Sequence, residues 1–422
     1  MMLPLKIVGC WEWFQNPIKS RHIFINNVYL AMVLFILLNL TVSLIVHLYG
    51  EWTDVMSNLD KMADSLPLIV SIAIVAYFAI YKKEMYELCQ YMNKNFKWKS
   101  ARGLTNMTMQ ASYKTARNFA YFYTACTSFS VAMYVVLPVT GYLWLNHPLH
   151  PWIYKDVDQG LFITLIFLRQ CFAQGFVALA MGQLGVFFAS NSILLCGQLD
   201  LLCCSLRNVR YTALLQHVDH AALSAKYSTV EDEQHSYMYN VSEVKESASH
   251  YDEVSYAILY VPDIYNKEYD DGTVRAIQDC ARVCQVVNEY KRRFERFVSP
   301  LLALRVVQVT MYLCTLLYAA TLKFDMITVE YLGAVALDIY VYCHFGNQII
   351  LQADRVSTAA YQSAWPSMGV KARRLLLNVL LSNRRPVVVR AGRFLPMNLH
   401  TFVVIIKTSF SYYTLLVNVN EK

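Results

Sequence analysis

Seven stretches of this chain are long and apolar enough to be read as crossings of a lipid bilayer, and no other feature limits its fold so tightly. They cover residues 28–48, 66–81, 119–145, 161–202, 298–322, 327–351 and 397–419. A helix rising 1.5 Å per residue spans the hydrocarbon layer with about 20 apolar residues. The second stretch falls a little short, and Lys82 and Lys83 at its end can snorkel to the interface. The fourth has about twice the needed length. It reads as one helix continuing into water, because Asn191, Gln198 and Asp200 make its second half progressively polar. The expected fold is therefore all-α: a polytopic membrane protein of seven transmembrane helices. Composition agrees, since only 16% of the residues are charged and the mean hydropathy is +0.32, whereas a soluble chain carries about a quarter charged residues.

The connecting segments fall into two alternating sets. Residues 1–26, 82–118, 207–297 and 352–396 hold 3, 8, 11 and 8 lysines and arginines, whereas the opposite set holds only Lys61, Lys155, Lys323 and Lys422. Basic residues stay on the cytoplasmic side, so the N-terminus is expected inside and the C-terminus outside, the reverse of a G-protein-coupled receptor. The net charge of +7 then belongs to the inner face of a membrane protein and not to a nucleic-acid partner. Residues 1–26 are too long and too polar for a signal-peptide n-region and read as a cytoplasmic tail. No cysteine falls in an expected external loop, so no extracellular disulfide is predicted.

The cytoplasmic side is heavy. Residues 224–272 are polar and acidic, as expected of a largely disordered insertion. Beyond them, Val283, Val287, Tyr290, Phe294 and Phe297 recur at spacings of three and four, the pattern of a buried helical stripe. Pro366 is expected to open a further helix with Leu375, Leu376, Val379 and Leu380 on one side. The chain thus divides into five parts. Residues 1–206 hold the tail and helices one to four, and 207–297 the cytosolic segment with the insertion and a helical extension. Residues 298–351 hold helices five and six, 352–396 a cytosolic anchor helix and loop, and 397–422 helix seven with a short external tail.

Catalytic signatures are missing: no HExxH, no phosphate-binding glycine loop, no GxSxG and no paired CxxC. Cys280 and Cys284 have helical spacing but no second pair to complete a zinc site. His147 and His150 flank Pro148 in a loop that reads as solvated. The broken-helix repeats of a secondary transporter are missing too. No enzyme activity, cofactor or metal is expected.

The most specific signal lies near the end of the chain. Tyr342-Cys343-His344-Phe345-Gly346-Asn347 closes the sixth helix, followed by Ala360-Tyr361, Trp365, Arg373-Arg374 and Arg385-Pro386. The chain finishes with Ile405-Ile406-Lys407-Thr408-Ser409-Phe410-Ser411-Tyr412-Tyr413-Thr414-Leu415-Leu416. This ordered set, over about 80 residues, resembles the C-terminal region of insect odorant receptors. The related gustatory receptors end in a Thr-Tyr-apolar run-Gln-Phe pattern, from which Tyr412-Tyr413-Thr414-Leu415-Leu416-Val417-Asn418-Val419 departs. The match favours a ligand-specific tuning subunit over the obligate co-receptor, although the long acidic insertion is more typical of the latter.

The resemblance implies a tetrameric, odorant-gated cation channel in the plasma membrane of a sensory neuron dendrite. It would be assembled with co-receptor subunits, and the seventh helices would line a central pore. Aligned on the tyrosine-aromatic step of that helix, Leu415 and Val419 fall at the family's hydrophobic gate and Asn418 at its polar ring. The plainer alternative is that these residues face lipid or neighbouring helices. The family's ligand pocket lies in the outer half of the bundle. It would draw here on Ile74, Tyr77, Phe78 and Tyr81 of the second helix, Met133, Leu137 and Trp144 of the third, Phe172 and Phe176 of the fourth, and Tyr331 and Val335 of the sixth. Such a lining suits a small, volatile, mostly apolar molecule, while the alternative for each residue is ordinary packing. Three other readings stay open at this level: a gustatory-type channel, a metabotropic seven-helix receptor and a membrane scaffold.

Overall fold

A computed structural model describes residues 3–14, 20–50, 59–98, 108–145, 161–214, 266–322, 326–384 and 387–420. Each of the seven apolar stretches falls on a long helix, two of them overrunning its end by one or two residues. These are α2 (Ser20–Gly50), α3 (Leu59–Ile80), α5 (Met109–Leu145), α6 (Leu161–Arg207), α8 (Asp270–Leu322), α9 (Met326–Gln362) and α11 (Leu399–Asn420). Shorter helices flank them: α1 (Leu3–Ile7), α4 (Lys82–Asn95), α7 (Val209–Leu214) and α10 (Val370–Asn383). By length and hydropathy alone, four helices among the described residues can each cross a membrane, and five if α3 and α4, bent by 66° at Tyr81, count as one span.

The fourth stretch is a single helix of 47 residues. Its polar half is matched by its surroundings. Gln198 donates to the carbonyl of Lys97 at 2.7 Å and accepts from the Lys97 N–H at 3.1 Å, and Asn191 accepts from the Tyr290 hydroxyl at 2.6 Å. A polar group buried without such partners would cost several kcal/mol, on the order of 2–7, so these residues mark contact with the polar segments around Lys97 and Tyr290.

The expected stripe on α8 is the centre of that part. Val283, Val287, Tyr290, Phe294 and Phe297 are all buried. Phe294 stacks on Phe188 of α6 at 5.5 Å, Tyr290 meets Phe96 at 4.9 Å, and Phe297 packs edge-on against Phe78 of α3 at 5.4 Å. Burying each large aromatic stabilises the bundle by about 1.5–3 kcal/mol. Most of the expected acidic insertion lies outside the described residues. Its end is ordered: Asn266 caps a 3-10 turn, Lys267–Tyr269, and α8 starts at Asp270. Asp270 and Asp271 suit that first turn because carboxylates favour the positive end of a helix dipole. Arg210 of α7, 2% exposed, ties the region together. It donates to Asp270 at 2.9 Å, to the Thr273 hydroxyl at 3.3 Å and to the carbonyl of Ser367.

Pro366 sits in a 3-10 turn, Trp365–Ser367, ahead of α10 and not at its start. Within α10, Leu376 and Val379 are buried, and Leu375 and Leu380 pack against the core. A feature that helical periodicity did not predict follows. Residues Arg390–Ala391 and Leu395–Pro396 pair as a two-stranded antiparallel ribbon, turned by Gly392 (φ +59°) and Arg393 (φ +69°). The turn docks on Ser299, whose carbonyl accepts from Gly392 N–H and whose hydroxyl accepts from Arg393 N–H, both at 3.0 Å. Pro300 follows directly inside α8. The ribbon thereby fixes the entry to α11.

Candidate functional site

Helix α11 begins with a built cap. Asn398 accepts from the N–H of Thr401 at 2.9 Å, and the Thr401 hydroxyl donates to the carbonyl of Pro396 at 2.6 Å. One face, Thr401, Ile405 and Ser409, is buried against the chain. The helix packs on α8 and α9, with Phe402 edge-on to Tyr340 at 5.5 Å. Lys407, Ser411 and Thr414, at spacings of four and three, are uncovered in the single subunit. They form a polar stripe along an otherwise apolar helix. Leu415, Asn418 and Val419 belong to the same helix, but their side chains fall outside the described residues.

The residues expected to line one outer pocket meet in pairs at different levels of the helices, Tyr77 with Tyr81 and Phe172 with Phe176. Successive contacts set the level of α5 against α6: Tyr123 lies beside Gly185, Thr127 beside Gly182 and Val131 beside Gly175. Phe78 meets Phe187 at 5.5 Å, which puts it near the level of Tyr123. Trp144 lies about 20 residues further along α5, roughly 30 Å away at helical rise. Tyr77 donates its hydroxyl to the carbonyl of Phe297 at 3.0 Å, Tyr81 stacks on Tyr77 at 4.5 Å, and Ile74 and Phe78 are fully buried. These four are engaged at the end of α3 that meets the buried stripe of α8.

Trp144 of α5 is 86% exposed and Phe172 of α6 is 63% exposed. Met133 is half-buried, and the side chains of Leu137 and Tyr331 fall outside the described residues. Phe176, which is buried, meets Phe172 edge-on at 5.2 Å, and Val335 packs against the core. Between the outer turns of α5 and α6 a separate apolar cluster forms. Ile163, Phe167 and Cys171 are buried there with Val135, Val139 and Tyr142 packed against them. Sequence reasoning missed these six, although 135/139/142 and 163/167/171 recur at spacings of three and four. Arg169 on α6 hydrogen-bonds the side-chain oxygen of Asn39 on α2.

Burial pushes the Cys280 thiol up to about 12 and Cys284 to about 11, so both remain protonated at neutral pH. Among the described residues, no three His, Cys, Asp or Glu side chains gather where they could hold a metal ion.

Comparison with known proteins agrees with the architecture. The sequence profile of the 7tm odorant receptor family matches residues 58–410. Odorant receptor 85e of Drosophila melanogaster is 25% identical, over 96% of this chain and 87% of its own length. Odorant receptor 83a of the same species is 24% identical, over 87% and 81%. The structure of the olfactory receptor OR5 from Machilis hrabei, solved in complex with eugenol, superposes with a TM-score of 0.73, covering 99% of this chain and 96% of that one at 14% identity. At that identity the likeness carries the fold. The terminal motifs, the stripe on α11 and the profile match over most of the chain lead to one assignment: this is a membrane protein of the insect odorant receptor family, a receptor and not an enzyme.

Proposed function

We propose that the chain is a ligand-specific subunit of an odorant-gated, non-selective cation channel, assembled as a tetramer with co-receptor subunits in the plasma membrane of sensory neuron dendrites. The observation that carries this reading is the uncovered polar stripe Lys407, Ser411 and Thr414 on the last apolar helix. A polar row on a spanning helix is stable when it faces other protein or water. Four copies of such a row around one axis make an aqueous path, with Leu415 and Val419 as its constriction and Asn418 between them as a polar ring. The imbalance of 30 basic residues against four supports a cytoplasmic N-terminus and an external C-terminus. In that orientation seven helices cross the membrane, Lys407 lies on the cytosolic side of the constriction, and residues 207–297 and 352–396 form the cytosolic bundle that anchors the subunits. The departure of residues 412–419 from the gustatory ending favours the odorant reading over its gustatory relative.

The ligand is a small, mostly apolar volatile. The Machilis receptor solved with eugenol is a precedent for a compact aromatic molecule in this fold. In this chain the compartment between the outer turns of α5 and α6 suits such a ligand, with the hydroxyl of Tyr142 as a polar contact among Val135, Val139, Ile163, Phe167 and Cys171. Met133 and Leu137 lie on α5 and Phe172 and Phe176 on α6, the two helices that carry this cluster, while Tyr331 and Val335 lie on α9. The decisive test is expression in oocytes with and without an insect odorant co-receptor, under a panel of volatile esters, alcohols, terpenes and phenols. A fast cation current that requires both chains supports the channel reading, and a ligand response without current turns it towards a metabotropic receptor. With an active odorant identified, Phe167→Ala should raise the half-maximal concentration about tenfold or more, as expected from losing one well-buried aromatic contact of at least about 1.4 kcal/mol. Trp144→Ala should leave it within about threefold. Equal effects of the two substitutions on the odorant response would remove the α5–α6 compartment as the binding site.

A further inference from the structure

Two ionisable side chains are enclosed within the helical bundle, far from the acidic and basic segments of the cytosolic side. Arg305 of α8 is 3% exposed and Asp338 of α9 is 7% exposed. They form an ion pair through Arg305 Nη2 and Asp338 Oδ2. The other carboxylate oxygen of Asp338 accepts from the hydroxyl of Tyr123 on α5 at 2.9 Å. Arg305 Nη1 donates to the side-chain oxygen of Gln308, itself buried, one turn along α8. Fully buried Tyr342 stands beside the pair and lays its ring against Phe188 of α6 at 5.5 Å. Next to Tyr123, Thr124 accepts from Gln183 of α6 at 3.2 Å. Four helices therefore converge on one ionic centre.

Such a centre adds little to stability. Desolvating both charges largely offsets their attraction, and apolar residues of similar size would hold the helices together equally well. What a buried pair held by several hydrogen bonds does supply is a defined relative setting of the elements that carry it. Here those elements have opposite ends of interest. The far turns of α5 and α6 carry the apolar cluster around Phe167 and Tyr142, about 28 Å from Tyr123 at helical rise. Helices α8 and α9 are the two on which α11 rests. They hold it through Tyr340 against Phe402, through Gly346 against Met397, and through Ser299 under the ribbon that leads into it. Any slide of α5 and α6 against α8 and α9 strains or breaks the bond from Tyr123 to Asp338.

We propose that Tyr123, Arg305 and Asp338 form the joint that couples the odorant compartment to the pore helix, acting as positioning residues that touch neither ligand nor ion path. This rests on the channel reading above. The joint transmits by having two settings whose balance the ligand shifts, with the ion pair fixing α8 to α9 while the phenol bond reports the position of α5.

The test uses the full assembly with the co-receptor and three measurements: subunit amount at the surface, half-maximal odorant concentration, and odorant-free current in a Leu415→Ser background. Tyr123→Phe removes one hydroxyl and leaves the packing intact. It should shift the half-maximal concentration about fivefold or more, the low end of ordinary coupling energies, with surface amount and Leu415→Ser leak unchanged. Asp338→Asn should shift it in the same direction, and adding Tyr123→Phe to Asp338→Asn should add little, because the phenol has already lost its charged acceptor. A shift within about twofold for Tyr123→Phe at normal surface amount overturns the joint, whether or not Asp338→Asn reaches the surface. A shift that merely follows surface amount does the same. Silence of the parent chain under every odorant is a different result: it removes the channel reading itself.

Discussion

Serine at Leu415 or Val419 is expected to raise odorant-free current about tenfold or more, and serine at both positions to leave the channel largely open. Four residues separate the two positions, so on one helix they lie on one face, about 6 Å apart along the axis. In a four-fold arrangement they form two stacked apolar rings. A constriction of this kind blocks ions by excluding water, and a hydroxyl in each wall restores a hydration path without any movement of the helix. A tenfold change needs only about 1.4 kcal/mol taken from the closed state, well within what wetting a ring of four side chains supplies. The assignment is the one that the resemblance of the terminal helix to odorant receptors implies, aligned on its tyrosine-aromatic step. Recording without odorant, before and after replacing external sodium by a large impermeant cation, separates pore current from membrane damage. Unchanged basal current in both single variants at normal surface amount would rule the rings out as the gate. Asn418→Ala belongs to the same experiment, and its expected effect is on cation selectivity more than on basal current.

How much of this was legible beforehand depended on whether a feature is local. The stripe from Val283 to Phe297 was readable because one helix repeats it, and all five side chains are buried. The single run of α6 was readable because Asn191 and Gln198 break its apolar character where cytosolic partners meet it. The quoted end of the chain was readable as a family signature. Three things were not. The contact of Tyr77 and Phe78 with Phe297 of α8 was hidden, since periodicity gives the face of a helix and not what packs on it. The ribbon at residues 390–396 was hidden by its length of two residues per strand, although the β-branched run Val387-Val388-Val389 and Gly392 were its local signs. The ionic centre joins Tyr123 to Asp338 across 215 positions. Each of its charges looks like an isolated expense in a span, and nothing local says that one repays the other. The residues hardest to foresee were thus those whose meaning is a pairing between helices, which is also where a receptor must carry its signal.

Gly346→Ala should abolish most odorant-evoked current, by about tenfold or more, while Gly333→Ala on the same helix should not. A Cβ at position 346 would lie 2.2 Å from the carbonyl oxygen of Met397 and 3.0 Å from its Cβ. Carbon and oxygen approach no closer than about 3.3 Å even in favourable contacts, so α9 and the start of α11 must part by about 1 Å. Neither side yields easily. Met397 is fully buried, its N–H donates to Val389 at 2.9 Å, and the Asn398 cap follows at once. Phe345, beside Gly346, is packed edge-on against Phe119 at 4.9 Å. Overpacking of this kind costs about 1–3 kcal/mol, which a large bundle survives. The surface amount should therefore fall only modestly. The displacement, however, enters at the root of α11, and a helix of 22 residues magnifies a tilt at its base toward the rings near its tip. At Gly333 a Cβ meets nothing within 4 Å, and alanine there improves helix propensity by about 1 kcal/mol, so that variant controls for the loss of a glycine as such. Measuring odorant-evoked current per surface subunit for both variants separates the cases. Matching currents would mean that the contact between Gly346 and Met397 does not set the pore helix, and that the glycine in this stretch of the terminal signature has some other origin.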